Sequence, residues 1–194
     1  RARASAQRLM EVLDTSPAVQ SGDIPVETVG DLVFDHVSFH YPDASGRPVL
    51  TDFSLTIHAG ENIAVLGVTG SGKSSLVHLI PRFYDVTGGE IRLGGHPIQQ
   101  FDLTSLRQKI GIVLQKSELY SGTVADNIRW GRSDATDEEV ITAAKMSQVY
   151  RFITTLPDGY DTVIADDGGN LSQGQKQLLT IARVMLLDPP ILIL

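Results

Sequence analysis

The sequence predicts an α/β fold in which parallel strands alternate with helices, entered through an N-terminal antiparallel β subdomain and interrupted by a helical insert. Three observations carry that expectation. Residues 32–57 are β-prone, with the apolar-polar alternation of a half-buried sheet. Short apolar runs at 62–66, 110–114 and 191–194 lie next to helical patterns, as buried parallel strands do. Between the last two runs, residues 123–155 read as helical throughout.

At the start of the chain, residues 2–13 place Ala6, Leu9, Met10 and Leu13 on one helical face. Residues 14–30 hold two prolines and two glycines and read as a linker, so the domain proper is expected over 31–194 and a linker over 1–30. Strands are expected at 32–41, closed by Pro42-Asp43, and at 49–57, where Leu55 and Ile57 alternate with Ser54, Thr56 and His58. A strand at 62–66 and a helix from Lys73 to about Phe83 follow. Gly88-Gly89 and Gly94-Gly95 bracket a strand at 90–93. Asp102 can cap a short helix, and Thr136 with Glu139 forms a capping box. Pro157-Asp158-Gly159 is a turn. Ser172 opens a long helix to about Leu187, which Asp188-Pro189-Pro190 stops.

Composition narrows the function classes. The formal net charge of -7 speaks against a nucleic-acid partner, which requires a basic face. The absence of cysteine excludes a disulfide framework and a cysteine-based zinc site. The five histidines are scattered without metal-ligand spacing. No apolar run approaches the roughly 18 residues of a membrane span. The chain opens on Arg1-Ala2-Arg3 and closes inside the apolar run Ile191-Leu192-Ile193-Leu194, so it reads as a segment of a longer one.

The strongest chemical signal is Gly67-Val68-Thr69-Gly70-Ser71-Gly72-Lys73-Ser74, the full pattern of a phosphate-binding loop. Its expected flanks, a strand and a helix, are those a P-loop NTPase core requires. Glycines let backbone N–H groups turn inward around an anion. Lys73 brings a full charge to the β- and γ-phosphates, and the Ser74 hydroxyl can ligate Mg²⁺. Alone, this loop fits a small-molecule kinase equally well.

About a hundred residues downstream stands Leu171-Ser172-Gln173-Gly174-Gln175. With the phosphate loop before it, this resembles the signature of ABC proteins, normally Leu-Ser-Gly-Gly-Gln. The chain resembles the nucleotide-binding domain of ABC exporters over nearly its whole length. The resemblance implies ATP and Mg²⁺ as cofactors. Tyr41 would stack on adenine; Gly67, Thr69, Gly70, Ser71, Gly72, Lys73, Ser74 and Ser75 would hold the phosphates. Ser74 and Gln115 would serve the metal, with Lys73 and Gln115 as the catalytic pair. Ser172, Gln173, Gly174 and Gln175 would bind the ATP of a second nucleotide-binding domain, in a head-to-tail homo- or heterodimer. Residues 116–123 resemble the segment that receives the transmembrane domain of the same chain, and Asp166-Asp167-Gly168 the acidic segment before the signature. Residues 4–14 resemble the exporter linker. The implied place is the cytoplasmic face of the membrane, and the implied work is substrate export driven by ATP hydrolysis.

Two departures stand out. The family's carboxylates, which follow the strand at 191–194, are not among these residues, so the segment is expected to bind ATP better than it hydrolyses it. Gln173 replaces the usual glycine, as in one subunit of some heterodimeric bacterial exporters. A soluble ABC ATPase of the DNA-repair or translation type is the main alternative; the acidic charge and exporter-like linker speak against it. A regulatory module without turnover is another.

Overall fold

The computed structural model describes residues 10, 14, 16–42, 47–114, 117–164 and 170–194. The chain divides into two compact units, residues 1–106 and 107–194. The helix expected at 2–13 lies outside the described residues except for Met10, whose carbonyl accepts from Asp14 N–H at 2.8 Å.

In the first unit a four-stranded antiparallel sheet has the order β2-β1-β3-β4. Its strands are β1 (Leu32–Phe39), β2 (Leu50–Ile57), β3 (Gly88–Leu93) and β4 (His96–Pro97). The buried residues of β1 are Leu32 and Phe34, then Val37 and Phe39. That change of parity would turn the second pair to the other face of a regular strand. A bulge prevents it: the register shifts between Phe34 and Val37, and His36 takes φ 50°. Asp52 on β2 takes φ 51° opposite, and its carboxylate meets His36 Nδ1 at 2.6 Å.

Helix α1 (Lys73–Leu79) starts where expected but ends about four residues early. Pro81 has no N–H to continue the ladder, and Arg82 turns the chain at φ 52°. Arg82 is buried; its guanidinium donates to both oxygens of Asp85 and to the Gln20 and Gln99 carbonyls. A buried guanidinium needs this full set of partners. The segment around Gln20 is therefore fastened to the unit. Farther along, Ile24 bridges Phe101, and Val26 N–H donates to Ser105 Oγ at 2.8 Å. Helix α2 (Leu103–Gln108) is capped as expected, with Asp102 Oδ1 accepting from Ser105 N–H at 2.8 Å.

One expectation fails in this unit. Residues 62–66 form no strand: they have no ladder partner among the described residues, and Ile63, Val65 and Leu66 are exposed. An apolar run becomes a strand only when a neighbouring backbone supplies its hydrogen bonds. The sequence signals the wish to be buried, not the presence of that neighbour.

In the second unit, β5 (Ile110–Ile112) pairs in parallel with β8 (Ile191–Ile193), Gly111 opposite Leu192. This is the expected parallel element. A short antiparallel pair, β6 (Gly122–Thr123) with β7 (Val163–Ile164), was not expected. The stretch 123–155 is not helical throughout; it holds α3 (Val124–Arg129), α4 (Asp137–Met146) and α5 (Tyr150–Ile153). Capping boxes at Thr123 with Asp126 and at Thr136 with Glu139 start new helices and so interrupt the run. The long helix α6 (Gln173–Leu187) buries Leu179, Ala182 and Leu186, spaced as one helical face. They pack into a core with Val124, Ile128, Val140 and Ala144. Asp188 ends α6 in the left-handed region at φ 48°, and its N–H still reaches the Val184 carbonyl.

Candidate functional site

β1 delivers Tyr41 two residues beyond its last paired position, and β2 returns beside it: Val49 N–H donates to the Phe39 carbonyl at 2.8 Å. The start of β2 also abuts the loop 67–74. A Cβ on Gly72 would stand 3.0 Å from the Val49 carbonyl oxygen, and Gly72 has φ 90°. Only glycine meets both conditions at once. This approach places Tyr41 over α1, where its hydroxyl lies 2.9 Å from Ser75 Oγ.

The loop 67–74 is folded and open to solvent. Ser71 N–H closes a turn on the Val68 carbonyl at 3.2 Å, and Leu76 N–H bonds the Gly72 carbonyl at 2.9 Å. Gly70 takes φ 84°. Gly67, Thr69, Gly70, Ser71 and Ser74 are exposed, while Gly72 and Lys73 are half-buried and Ser75 is buried. Lys73 Nζ curls back over the loop and donates to the Gly67 and Val68 carbonyls at 2.7 and 2.8 Å. A flexible ammonium held by neutral carbonyls exchanges them readily for phosphate oxygens, which accept charge-assisted bonds.

The second unit carries the other motif. Ser172 caps α6: its Oγ accepts from Gln175 N–H at 3.3 Å, and Gln175 Oε1 accepts from Ser172 N–H at 2.8 Å. The serine uses a lone pair in this box, which leaves its O–H available as a donor. Gln173 and Gly174 are exposed at the first helical turn, and nothing lies within 4 Å of the position a Gly174 Cβ would take. A helix start of this kind favours an anion. Gln115, Lys116 and residues 166–168 lie outside the described residues.

The ABC transporter family profile matches residues 50–194. The chain belongs to the ABC transporter family. A Staphylococcus aureus (strain NCTC 8325) protein named as a multidrug export ATP-binding/permease protein is 52% identical over 174 residues, 89% of this chain and 30% of that protein. A Mycobacterium bovis (strain BCG / Pasteur 1173P2) protein named as a multidrug efflux ATP-binding/permease protein is 45% identical over 195 residues, 100% of this chain and 16% of that one. The chain thus spans less than a third of the length of these curated relatives. Among solved structures, a bacterial Atm1-family ABC exporter with ATP bound superposes with a TM-score of 0.89 at 37% identity, over 96% of this chain and 33% of that one. The fold is that of a P-loop NTPase with an antiparallel β subdomain.

The structure of this ABC transporter domain also brings forward residues that motif reading passed over. Asn127, on α3, is buried and clasps the segment before it: Nδ2 donates to the Tyr120 and Thr123 carbonyls, and Oδ1 accepts from Tyr120 N–H at 2.9 Å. Arg183 of α6 donates to Asn127 O at 3.0 Å and sits 5.2 Å over the Tyr120 ring. Tyr120 stacks on Trp130 at 4.3 Å, both rings exposed. The one signal in the sequence was an asparagine on the apolar face of a helix, which needs partners if buried. Tyr84, edge-on to Tyr41 at 5.0 Å, had no motif to mark it.

Proposed function

We propose that this chain is the ATP-binding and hydrolysing part of an exporter that moves a substrate out across a membrane. Residues 31–194 form the nucleotide-binding domain, and residues 1–30 join it to a transmembrane domain of the same chain at the cytoplasmic face. The observation that carries the reading is the 67–74 loop: folded, solvent-open, crossed by Lys73, and tied to Tyr41 through Ser75. The names of the relatives support export over soluble ATPase work.

In this reading adenine stacks on Tyr41, a contact worth about 1–3 kcal/mol. Loop amides of Gly67, Thr69, Gly70, Ser71 and Gly72 face the phosphates, and Lys73 leaves its two carbonyls for the β- and γ-oxygens. The Ser74 hydroxyl is a hard oxygen donor, as Mg²⁺ prefers. No acidic cluster able to hold a metal by itself occurs among the described residues. Held by Ser74 and, in this reading, Gln115, Mg²⁺ would supply charge neutralisation on the phosphates. Gln115 is assigned to the metal and the attacking water.

Ser172, Gln173, Gly174 and Gln175 act on the ATP of a second domain in a head-to-tail dimer. Ser172 donates its free O–H, Gly174 offers its N–H, and Gln175 holds Ser172 in place. Residues 116–123, with Tyr120 on Trp130, receive the transmembrane domain. One form of this reading is a heterodimer in which this chain supplies the altered signature with Gln173; a homodimer can carry the same glutamine. Robust ATPase activity from the full-length protein purified alone would refute the heterodimer. The central test is ATP-dependent dye extrusion by the full-length protein in vesicles. ATP turnover by a full-length protein that does not insert into vesicles would overturn the exporter reading and favour the soluble-ATPase one.

A further inference from the structure

Tyr41 is held by more than its place after β1. Phe39 meets its ring at 4.9 Å and 76°, and Tyr84 meets it at 5.0 Å and 89°. Both contacts are perpendicular, the geometry in which a ring edge faces a ring face. Among the described residues no aromatic ring lies parallel on Tyr41, so a planar base can take that position. The Tyr41 hydroxyl is pinned at the far end by Ser75 Oγ.

Tyr84 differs from Phe39 in where it comes from. It lies on the turn that follows α1, between Arg82 and Asp85. Arg82 grips Asp85 in a two-toothed ion pair, Nε to Oδ1 at 2.9 Å and a terminal nitrogen to Oδ2 at 3.0 Å, from a buried position. The planar fork fixes direction as well as distance. The turn carrying Tyr84 is thus rigidly attached to the end of the helix that begins at the phosphate loop. Tyr84 is 36% exposed and is no ordinary core residue.

We propose that Tyr84 is a positioning residue for base recognition: with Ser75, it fixes the plane of Tyr41 relative to the phosphate loop. The proposal rests on the assignment of Tyr41 and residues 67–74 to ATP. The stretch 73–84 then registers the two halves of the ligand against each other. Ser74 and Lys73 meet the phosphates at one end, and Ser75 and Tyr84 set the base shelf from the middle and the far end. A preset shelf spares the ordering of the Tyr41 ring when the base arrives. Its loss weakens ATP by about two- to tenfold, the range of an edge-to-face aromatic pair.

The test compares Mg-ATP with Mg-tripolyphosphate, which lacks the base, by calorimetric titration of the full chain. Tyr84→Leu keeps apolar volume and removes the ring; Tyr84→Phe keeps the ring. The expected result is weaker ATP binding for Tyr84→Leu with tripolyphosphate affinity unchanged, and parental values of both for Tyr84→Phe. Because Tyr84 acts through Tyr41, adding Tyr84→Leu to Tyr41→Ala costs nothing further. Unchanged ATP affinity in Tyr84→Leu overturns the proposal, as does equal loss of both ligands or full additivity with Tyr41→Ala. Tripolyphosphate binding reports folding in every variant. If Tyr41→Ala leaves the preference for ATP over tripolyphosphate intact, the base-stacking reading itself falls and the proposal with it. If Tyr41→Ala removes that preference while Tyr84→Leu does not, the role of Tyr84 alone is lost.

Discussion

Replacing Gly72 with alanine asks whether the phosphate loop owes its shape to a backbone that only glycine permits. Gly72 sits at φ 90° and ψ 5°. A residue with a Cβ carries about 1–2 kcal/mol of strain in the left-handed region. The new Cβ would also stand 3.0 Å from the Val49 carbonyl oxygen and 3.2 Å from Val49 Cγ1 and Leu50 Cδ2. Two of those three atoms are side-chain atoms that can yield; the carbonyl cannot without moving the start of β2. Overpacking of this kind adds about 1–3 kcal/mol. Gly70 is the internal control, with φ 84° and nothing within 4 Å of its Cβ position. Gly70→Ala therefore carries the strain alone, a loss of roughly 5- to 30-fold in ATP affinity if the loop must keep this shape to bind. Gly72→Ala should lose more affinity and, unlike Gly70→Ala, lower the urea midpoint, because β2 belongs to the folded sheet. Both are read by Mg-ATP titration and urea unfolding. The reasoning is refuted if Gly72→Ala proves no worse than Gly70→Ala in either measurement.

Lys73→Ala should remove most nucleotide affinity, since no other side chain is assigned a full charge toward the phosphates; Mg-ATP binding that survives within about twofold would end the phosphate-loop assignment. Ser172→Ala should lower the stability of the unit at 107–194 by about 0.5–2 kcal/mol through loss of the α6 cap, with Ser172→Asn largely restoring it in urea titrations. If alanine and asparagine destabilise equally, the cap is not what the serine contributes. A pH dependence should come from His58 and Asp31, whose Nδ1 and Oδ2 lie 2.9 Å apart. The hydrogen bond raises the histidine above its ordinary 6.5 and helps lower the aspartate below its ordinary 3.8. The histidine's contribution is complete below its unfolded pKa and fades as pH rises through the raised folded value. The aspartate's is present above its unfolded pKa and fades as pH falls through the lowered one. The pair therefore stabilises between about 4 and 6.5, and His58→Gln should flatten the decline of the urea midpoint above that window. An unaltered decline in the variant would place its origin elsewhere.

Helix ends were legible because a cap is a local event. Ser172, Thr136 and Asp102 each bond an N–H three residues away, so the sequence contains both partners. The box of Thr123 with Asp126 was missed because an aspartate stands where glutamate or glutamine is usual. Tyr41 and the 67–74 loop were legible as motifs, but the hydrogen bond between Tyr41 and Ser75 spans 34 residues and follows only from the return of β2. The bulge at His36 was legible in principle, in the parity change from Phe34 to Val37. Residues 62–66 were misread for the opposite reason. Strand formation is a property of a pair, and the apolar run names only one member.

That misreading bears on how the loop is held. A loop between a strand and a helix can be braced from either side. Here residues 62–66 are exposed and unpaired among the described residues. The helix side is different. Leu76 and Leu79 anchor α1 in the core, Gly72 is pressed against Val49, and Ser75 is tied to Tyr41. The buried Arg82 with Asp85 then secures the turn beyond α1. Every one of these fixings lies C-terminal to Gly70. The phosphate end of the site is therefore oriented by the same helix and turn that orient the Tyr41 ring. If Tyr41 and residues 67–74 bind ATP as proposed, the packing of α1 and of the turn beyond it sets the separation of base and phosphates within this unit.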